Sequence, residues 1–243
     1  MSKKLVTNQA MILAAGFGKR MLPITKHTPK PLIEFNGQPL IYNLIKKLQS
    51  NNINDITINS HYLYKKIQSS LRKKFKKNIK IVVEKNILDT GGGIKNAINS
   101  GYIKLNSKPL FVLNGDIFWI EKNLTIFERL SEKWEHNKMD VLLTLKYKND
   151  FFGYNGIGDY DLSVPESDCG LIFNNNGKRK YVYTGINLIN CKFMKTIKES
   201  KFSLKKVFDQ AMKKKRLYGL IEKEDKWFHI GTVRDLKTAE ELI

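Results

Sequence analysis

Between residues 8 and 147, short apolar runs alternate with amphipathic helical stretches, and few folds accept that order. Residues 8–15 read as a buried strand that runs into a glycine-rich turn. From Pro39 a helix carries Leu40, Ile41, Leu44, Ile45 and Leu48 on one stripe, and Asn51-Asn52 ends it. Asp55 to Asn59 reads as a short strand. Leu63, Ile67 and Leu71, at i, i+4 and i+8, mark a second helix. Ile79 to Val83 is a third strand, followed by a helix opened by Gly91-Gly92-Gly93 with Ile94, Ala97 and Ile98 facing inward. Leu110 to Leu113 is a fourth strand ending at Asn114-Gly115-Asp116. A helix with Leu124, Phe127, Leu130 and Trp134 then leads to the strand Val141 to Tyr147. Strand–helix alternation of this kind predicts an α/β fold, a mostly parallel sheet with helices on both faces.

The second half is less regular. Phe151 to Ser163 is rich in Gly, Tyr and Asp and reads as loop plus edge strand. A turn at Asn174 to Gly177 joins two strands in hairpin style. Tyr181 to Asn190 and Leu217 to Glu222 read as strands, and Ser203 to Lys214 as a helix. Thr232, with Asp235 three residues on, caps a final helix running to Ile243. No repeat, low-complexity linker or composition shift divides the chain, so a single domain over residues 1–243 is expected.

At 243 residues the chain can bury a core without disulfides or a structural metal. No apolar run approaches the ~20 residues that span a bilayer, and no signal-peptide pattern follows Met1; a cytoplasmic protein with no membrane contact is expected. Cys169 and Cys191 match no zinc or redox spacing and read as free, structural thiols. The formal net charge of +20 raises the question of nucleic acid. Only six of the 43 basic residues are Arg, the residue of the commonest specific base contacts. The densest clusters, Arg72 to Lys77 and Lys213 to Arg216, fall at predicted helix ends, where cations complement the helix dipole. No recognition motif accompanies the charge, so it reads as solvated surface that helps draw in anionic substrates, and no nucleic-acid partner is expected.

Chemistry concentrates where strands end. Ligands of open α/β sheets bind at the carboxyl ends of the strands, and Gly16-Phe17-Gly18 and Asn114-Gly115-Asp116 both follow predicted strands. The stretch from Leu13 to Leu32 has small residues that let backbone approach a polyphosphate, with amides to cradle its oxygens. Arg20 and Lys30 add fixed positive charge. The stretch is not a Walker loop, lacking Gly-Lys-Ser/Thr. Nor is it a dinucleotide fingerprint, since Met21 stands where the third glycine would fall.

The array Gly16-x-Gly18-x-Arg20-Met21-x-Pro23-x-Thr25, continuing to Pro29-Lys30-Pro31-Leu32, resembles the signature of the sugar-1-phosphate nucleotidyltransferases. The resemblance extends along almost the whole chain. It takes in Asn59 to Tyr62, Leu88 to Ile94, Asn114 to Asp116, Tyr183 to Gly185 and Trp227 to Thr232, the last in the place of a Trp-x-Asp-x-Gly-Thr element. It implies a Rossmann-like sheet, a nucleotide-binding half over 1–147 and a sugar-binding half over 148–243. Catalytic roles then fall on Arg20, Lys30 and Asp116. Nucleotide contacts fall on Leu13, Ala14, Ala15, Gly16, Gly18, Lys19, Arg20, Thr90 and Gly91; Glu84, from its place at the end of the third strand, joins them facing the base or is a solvated strand-end carboxylate. Sugar contacts fall on Asn114, Gly158, Thr184 and Gly185.

The compact layout is similar to the short members that use UTP and N-acetylmuramate 1-phosphate. Mannose, heptose or glucose 1-phosphate with GTP, dTTP or CTP are the alternatives within the class, and a catalytically weak nucleotide-sugar-binding protein is the alternative outside it. A monomer or homodimer is expected.

The resemblance also implies Mg²⁺ (Mn²⁺ as the alternative) on Asp116 and on the residue at position 229. Here the sequence departs, because His229 replaces the expected carboxylate. Mg²⁺ prefers hard oxygen donors, whereas imidazole suits transition metals. Three arrangements stay open: an ion on Asp116, phosphate and water with His229 beside them; Mn²⁺ in place of Mg²⁺; or loss of activity. His27 and His61 have no paired base or nucleophile and read as structural or solvated. The acids of Gly158 to Asp161 line the sugar site or shape a turn.

Overall fold

The computed structural model describes residues 4–76, 78–154, 156–163, 167–173 and 179–243. The expected turn at 174–177 and the end of the basic run at Lys77 lie outside the described residues.

A nine-stranded sheet runs through the molecule in the order Asp161–Leu162, Cys169–Phe173, Leu217–Glu222, Val141–Tyr147, Tyr181–Ile189, Leu110–Asn114, Gln9–Leu13, Asp55–Ser60, Ile79–Val83. Gln9–Leu13 lies parallel to both Asp55–Ser60 and Leu110–Asn114. Asp55–Ser60 is parallel to Ile79–Val83, and Val141–Tyr147 to Leu217–Glu222. Tyr181–Ile189 runs antiparallel between Leu110–Asn114 and Val141–Tyr147, and Cys169–Phe173 is antiparallel to both neighbours. The sheet is therefore mixed: parallel through the first half, with the antiparallel strands supplied by the second. Ala10, Met11 and Ile12 are fully buried, as expected of a strand covered on both faces.

Two helical layers cover the sheet. Leu40–Ser50, Tyr64–Phe75 and Ile126–Lys133 bury their apolar stripes in one core, including Ile41, Leu44, Leu48, Ile67, Leu71 and Leu130. Asp89–Asn99, Cys191–Met194 and Leu204–Lys213 bury Ile94, Ala97, Val207 and Phe208 in the other. The basic runs do fall at helix ends, with Arg72, Lys73 and Lys74 in the last turn of Tyr64–Phe75. Ile126–Lys133 starts later than its apolar pattern implies. Thr125 and Glu128 form a capping box there, and Leu124 stays outside and exposed. No helix among the described residues is long and apolar enough to cross a membrane.

A second sheet, unforeseen from periodicity, joins Ile117–Ile120, Lys226–His229 and Phe151–Phe152. Its short strands are held by Trp119 and Trp227, both fully buried and stacked at 5.2 Å and 11°. Behind it the helix Val233–Glu241, opened by the expected Thr232–Asp235 capping box, shares a small core with Met21, Phe35, Phe118 and Phe228. That core anchors the signature loop from below.

The three consecutive glycines lie inside the helix Asp89–Asn99 rather than ahead of it. The segment 200–202 presses on that first turn. Gly92 N donates to Phe202 O at 2.9 Å, and a Cβ on Gly91 would stand 2.4 Å from the Phe202 ring.

Candidate active site

The carboxyl ends of Gln9–Leu13, Asp55–Ser60 and Leu110–Asn114 open into a cleft of about 480 Å³. Leu13, Ala14, Ala15, Gly16, Gly18, Lys19, Arg20, Lys30, Thr90, Asn114 and Asp116 all line it, so most of the expected nucleotide-side residues and all three expected catalytic residues converge.

The signature loop reaches this shape through a chain of local contacts. Gly18 sits at φ +65°, a conformation that favours glycine, and a Cβ there would be 2.9 Å from Thr25 Cγ2. Thr25 Oγ1 donates to Gly18 O at 2.9 Å. The chain then makes three 3₁₀ turns, Lys19–Met21, Ile24–Lys26 and Lys30–Leu32. Tyr62 ties the loop to the next strand by donating to Thr25 O at 3.0 Å. Gly115 N donates to Leu13 O at 2.9 Å, locking the two central strand ends together.

Lys30 Nζ and Asp116 Oδ2 meet at 2.7 Å across the cleft. Burial alone would raise the Asp116 pKa. The positive field of Lys30, of His229 and of Arg20, with the Lys30 hydrogen bond, turns the net shift downward. Asp116 is therefore an anion throughout the neutral range. His229 lies on the strand beside it, and Ile230 N donates to Asp116 O at 3.0 Å. Burial lowers the His229 pKa and Lys30 and Arg20 lower it further, while Asp116 works the other way; the imidazole is neutral at pH 7. It borders a separate cavity of about 230 Å³ with Phe152, Phe228 and Arg234, while Gly231, two residues on, lines the cleft.

A neighbouring cavity of about 370 Å³ shares Thr90 and Asn114 with the cleft. Asp159, Arg179, Tyr183 and Lys205 line it, with Lys205 ion-paired to Asp209 at 2.7 Å. Asp159 accepts from Tyr183 N at 2.9 Å, and burial raises its pKa.

Several expected contacts fall elsewhere. Thr184 is 1% exposed and donates to Thr144 O at 3.1 Å, away from the cavity. Gly185, at φ +97° in the bulge between Tyr183 and Asn187, clears space for Ile117 and Asn114 instead of lining the wall. Gly158 is buried under the Arg179 backbone, and Asp161 accepts from Lys180 N; both shape the turn. Gly91 packs on Phe202. Glu84 is 3% exposed and bonded to Asn59 and Leu88, so it does not face the cleft.

Other residues reach the walls without being singled out by the sequence pattern. Phe17 is 39% exposed on the cleft and packs its ring edge-on against His61 at 5.5 Å. Asp89 joins from the helix start, and Arg179 is in the second cavity. An aromatic between two loop glycines is a legible signal for Phe17. Arg179, beyond a turn of unremarkable sequence, has none.

A sequence profile described as "Nucleotidyl transferase" matches residues 9–166. The chain belongs to the nucleotidyl transferase family. It is 31% identical over 238 residues to an N-acetylmuramate alpha-1-phosphate uridylyltransferase of Caulobacter vibrioides, covering 95% of both chains. It is 28% identical to a D-glycero-alpha-D-manno-heptose 1-phosphate guanylyltransferase of Campylobacter jejuni, covering 93% of this chain and 96% of that one. A putative glucose-1-phosphate thymidylyltransferase of Bacillus anthracis shares the fold. Its TM-score is 0.76 at 21% identity, covering 96% of this chain and 94% of that one. The expectation drawn from the signature thus holds at the level of the family: the chain is a transferase of the sugar-1-phosphate nucleotidyltransferase type.

The donor set this cleft offers a divalent ion is small. Among the described residues no three His, Cys, Asp or Glu side chains gather as a metal cage. Asp116 offers a carboxylate whose Oδ1 takes no hydrogen bond among the described residues, Oδ2 being held by Lys30. One carboxylate completed by substrate phosphates and water is a usual arrangement for Mg²⁺, so the residues fit such an ion with Asp116 as its anionic donor.

Proposed function

We propose that this enzyme joins UTP to N-acetylmuramate 1-phosphate and releases pyrophosphate. The observation that carries the reading is the junction of the two cavities at Thr90 and Asn114, with the Lys30–Asp116 pair beside it. The larger cleft, walled by residues of 1–147 together with Gly231, takes the triphosphate; the smaller cavity, walled largely by residues 148–243, takes the sugar. The Caulobacter relative supports the choice of substrates. The cavity supports it too, since Arg179 enters no ion pair among the described residues and suits the lactyl carboxylate of muramic acid.

The sugar phosphate oxygen attacks the α-phosphorus in line, the new P–O bond forming as the bond to pyrophosphate breaks. A phosphate nucleophile is already ionised at neutral pH, so no general base is required. Arg20, Lys30 and the loop amides hold the phosphates and offset the charge of the transition state. Mg²⁺ on Asp116 and phosphate oxygens, when bound, supplies further charge neutralisation. His229, a neutral imidazole within electrostatic reach of Asp116, Lys30 and Arg20, adds no charge to the site.

The test is a matrix of UTP, GTP, CTP and dTTP against N-acetylmuramate, N-acetylglucosamine, mannose, heptose and glucose 1-phosphates, read by pyrophosphate release. The UTP and N-acetylmuramate pair is expected to give the highest kcat/KM. A higher value for GTP with a heptose or mannose phosphate would replace this substrate reading. No turnover in any cell would favour a nucleotide-sugar-binding protein.

A further inference from the structure

We infer that Glu84 and Asn59 form a buried positioning relay that sets the nucleotide wall of the cleft. The inference rests on the reading of that cleft as the triphosphate site. Glu84 is 3% exposed and Asn59 2% exposed. Asn59 Nδ2 donates to Glu84 Oε1 at 2.7 Å, and Asn59 Oδ1 accepts from Ala14 N at 2.9 Å. Glu84 Oε2 accepts from Leu88 N at 3.0 Å, at the N-cap of the helix Asp89–Asn99. The Glu84 backbone is fixed as well, its N–H donating to Ser60 O at 2.8 Å and its carbonyl lying 2.9 Å from His61 Nδ1. Glu84 enters no ion pair among the described residues. A carboxyl group in such burial, without a cation, is held by the donors around it.

The consequence lies in polarity. An amide side chain offers one donor end and one acceptor end, and sterics hardly distinguish them. The Ala14 N–H can only donate, so the Asn59 amide presents its oxygen to Ala14 and its NH2 to Glu84 Oε1. That bond sets the strand-to-loop step at Ala14, the residue where the signature loop leaves the sheet and lines the cleft. Through Leu88 the same carboxyl group sets the start of the helix that brings Asp89 and Thr90 to the opposite wall. Gly93 explains how the helix fits over the pair. A Cβ there would stand 2.7 Å from both Asn59 Nδ2 and Glu84 Oε1. Glu84 thus acts through Asn59 and Leu88 and touches no substrate.

The relay has a reversible polarity, which gives a specific test. In Glu84→Gln the new side chain has one acceptor oxygen for two donors, so one bond is lost. In Asn59→Asp two acceptor groups face each other. In the double variant the introduced amide can donate to the introduced carboxylate, which can also accept from Ala14 N. The remaining amide oxygen can accept from Leu88 N. All three bonds return with the total charge unchanged. Steady-state kinetics on the full chain, with melting curves, would separate the cases. Each single variant is expected to raise KM for the triphosphate about tenfold, with the KM for the sugar phosphate within about threefold of wild type. The double variant is expected to return to within about threefold of wild type.

If a single variant does not fold, the double variant decides: folded and active supports the relay, unfolded or as impaired as a single variant overturns it. Equal changes in both KM values, or unaffected single variants, also overturn it. A wild-type protein that turns over no triphosphate would instead refute the proposed function, so the two failures are distinguishable.

Discussion

Replacing Lys30 by Met removes the ammonium group while keeping most of the aliphatic stem, whose Cβ lies close to Gly18. In the wild type Nζ lies 2.7 Å from Asp116 Oδ2, with the two side chains 12% and 25% exposed. Breaking a fully buried pair costs ~3–5 kcal/mol. Partial exposure and screening bring that to roughly 1–2 kcal/mol here. At ~2–4 °C per kcal/mol for a chain of this size, the Tm of Lys30→Met falls by roughly 2–8 °C. The effect on turnover is larger, because a charged contact that strengthens in the transition state is worth ~100-fold or more in rate, about 2.7 kcal/mol at ~1.36 kcal/mol per tenfold. A pyrophosphate-release assay at a temperature well below both melting points reads the catalytic loss alone. Asp116 also loses one of the fields that hold its pKa down, so activity in the variant is expected to fall at a higher pH on the acid side. If kcat/KM stayed within about threefold of wild type while Tm dropped, Lys30 would be a structural partner of Asp116 and the catalytic assignment would be wrong.

Two further outcomes follow from features away from that pair. Asp225 is 2% exposed and its pKa is pushed up to about 6, first by burial and then by Glu222, against the Lys122 amide and Arg129. A carboxyl group whose folded pKa exceeds its unfolded value stabilises the fold below the unfolded value, and that contribution is lost as pH rises through the folded one. The stability of wild type relative to Asp225→Asn should therefore fall between pH ~4 and ~6, by on the order of 2–3 kcal/mol; a pH-independent difference in denaturant midpoints would contradict this. Gly185→Ala places a Cβ 2.8 Å from Ile117 Cγ2 and 3.1 Å from Asn114 Nδ2 at φ +97°, a strain of roughly 1–3 kcal/mol. Its KM for the sugar phosphate is expected to rise more than that for the triphosphate, and unchanged kinetics would show that Asn114 is not held by this contact.

The legible parts of the molecule are those fixed by local chemistry. The helix stripe Leu40 to Leu48 and the strands Ile79–Val83 and Leu217–Glu222 follow from periodicity and match the structure residue by residue. The cap at Thr232 follows from a hydroxyl and a carboxylate three residues apart. Ile117–Ile120 is hidden from such reasoning because its pairing partner lies more than a hundred residues away, at Lys226–His229. The loop residues and Asp116 fall on one rim in both readings because strand ends are visible in the sequence. Thr184, Gly185 and Glu84 are harder, since their roles depend on which side chains pack beside them. Glu84 at a strand end looks like a wall residue until Asn59 and the Leu88 amide close over it.

The electrostatics of the cleft bear on what chemistry it can run. A general acid or base works best with a pKa near the operating pH. Asp116 is driven below its usual range and His229 below its own, the first against burial and the second with it. Lys30 and Arg20 contribute to both shifts in the same direction. Near Asp116 the site therefore keeps a fixed charge pattern through the neutral range: an anion, two cations and a neutral imidazole close by. Such an arrangement is poorly suited to shuttling protons and well suited to holding phosphates while a bond exchanges between oxygens. An imidazole at position 229, where the sequence resemblance implies a carboxylate, fits that pattern, because a second anion beside Asp116 would raise its pKa and require more cation to offset it. His229 adds no charge to the site at neutral pH.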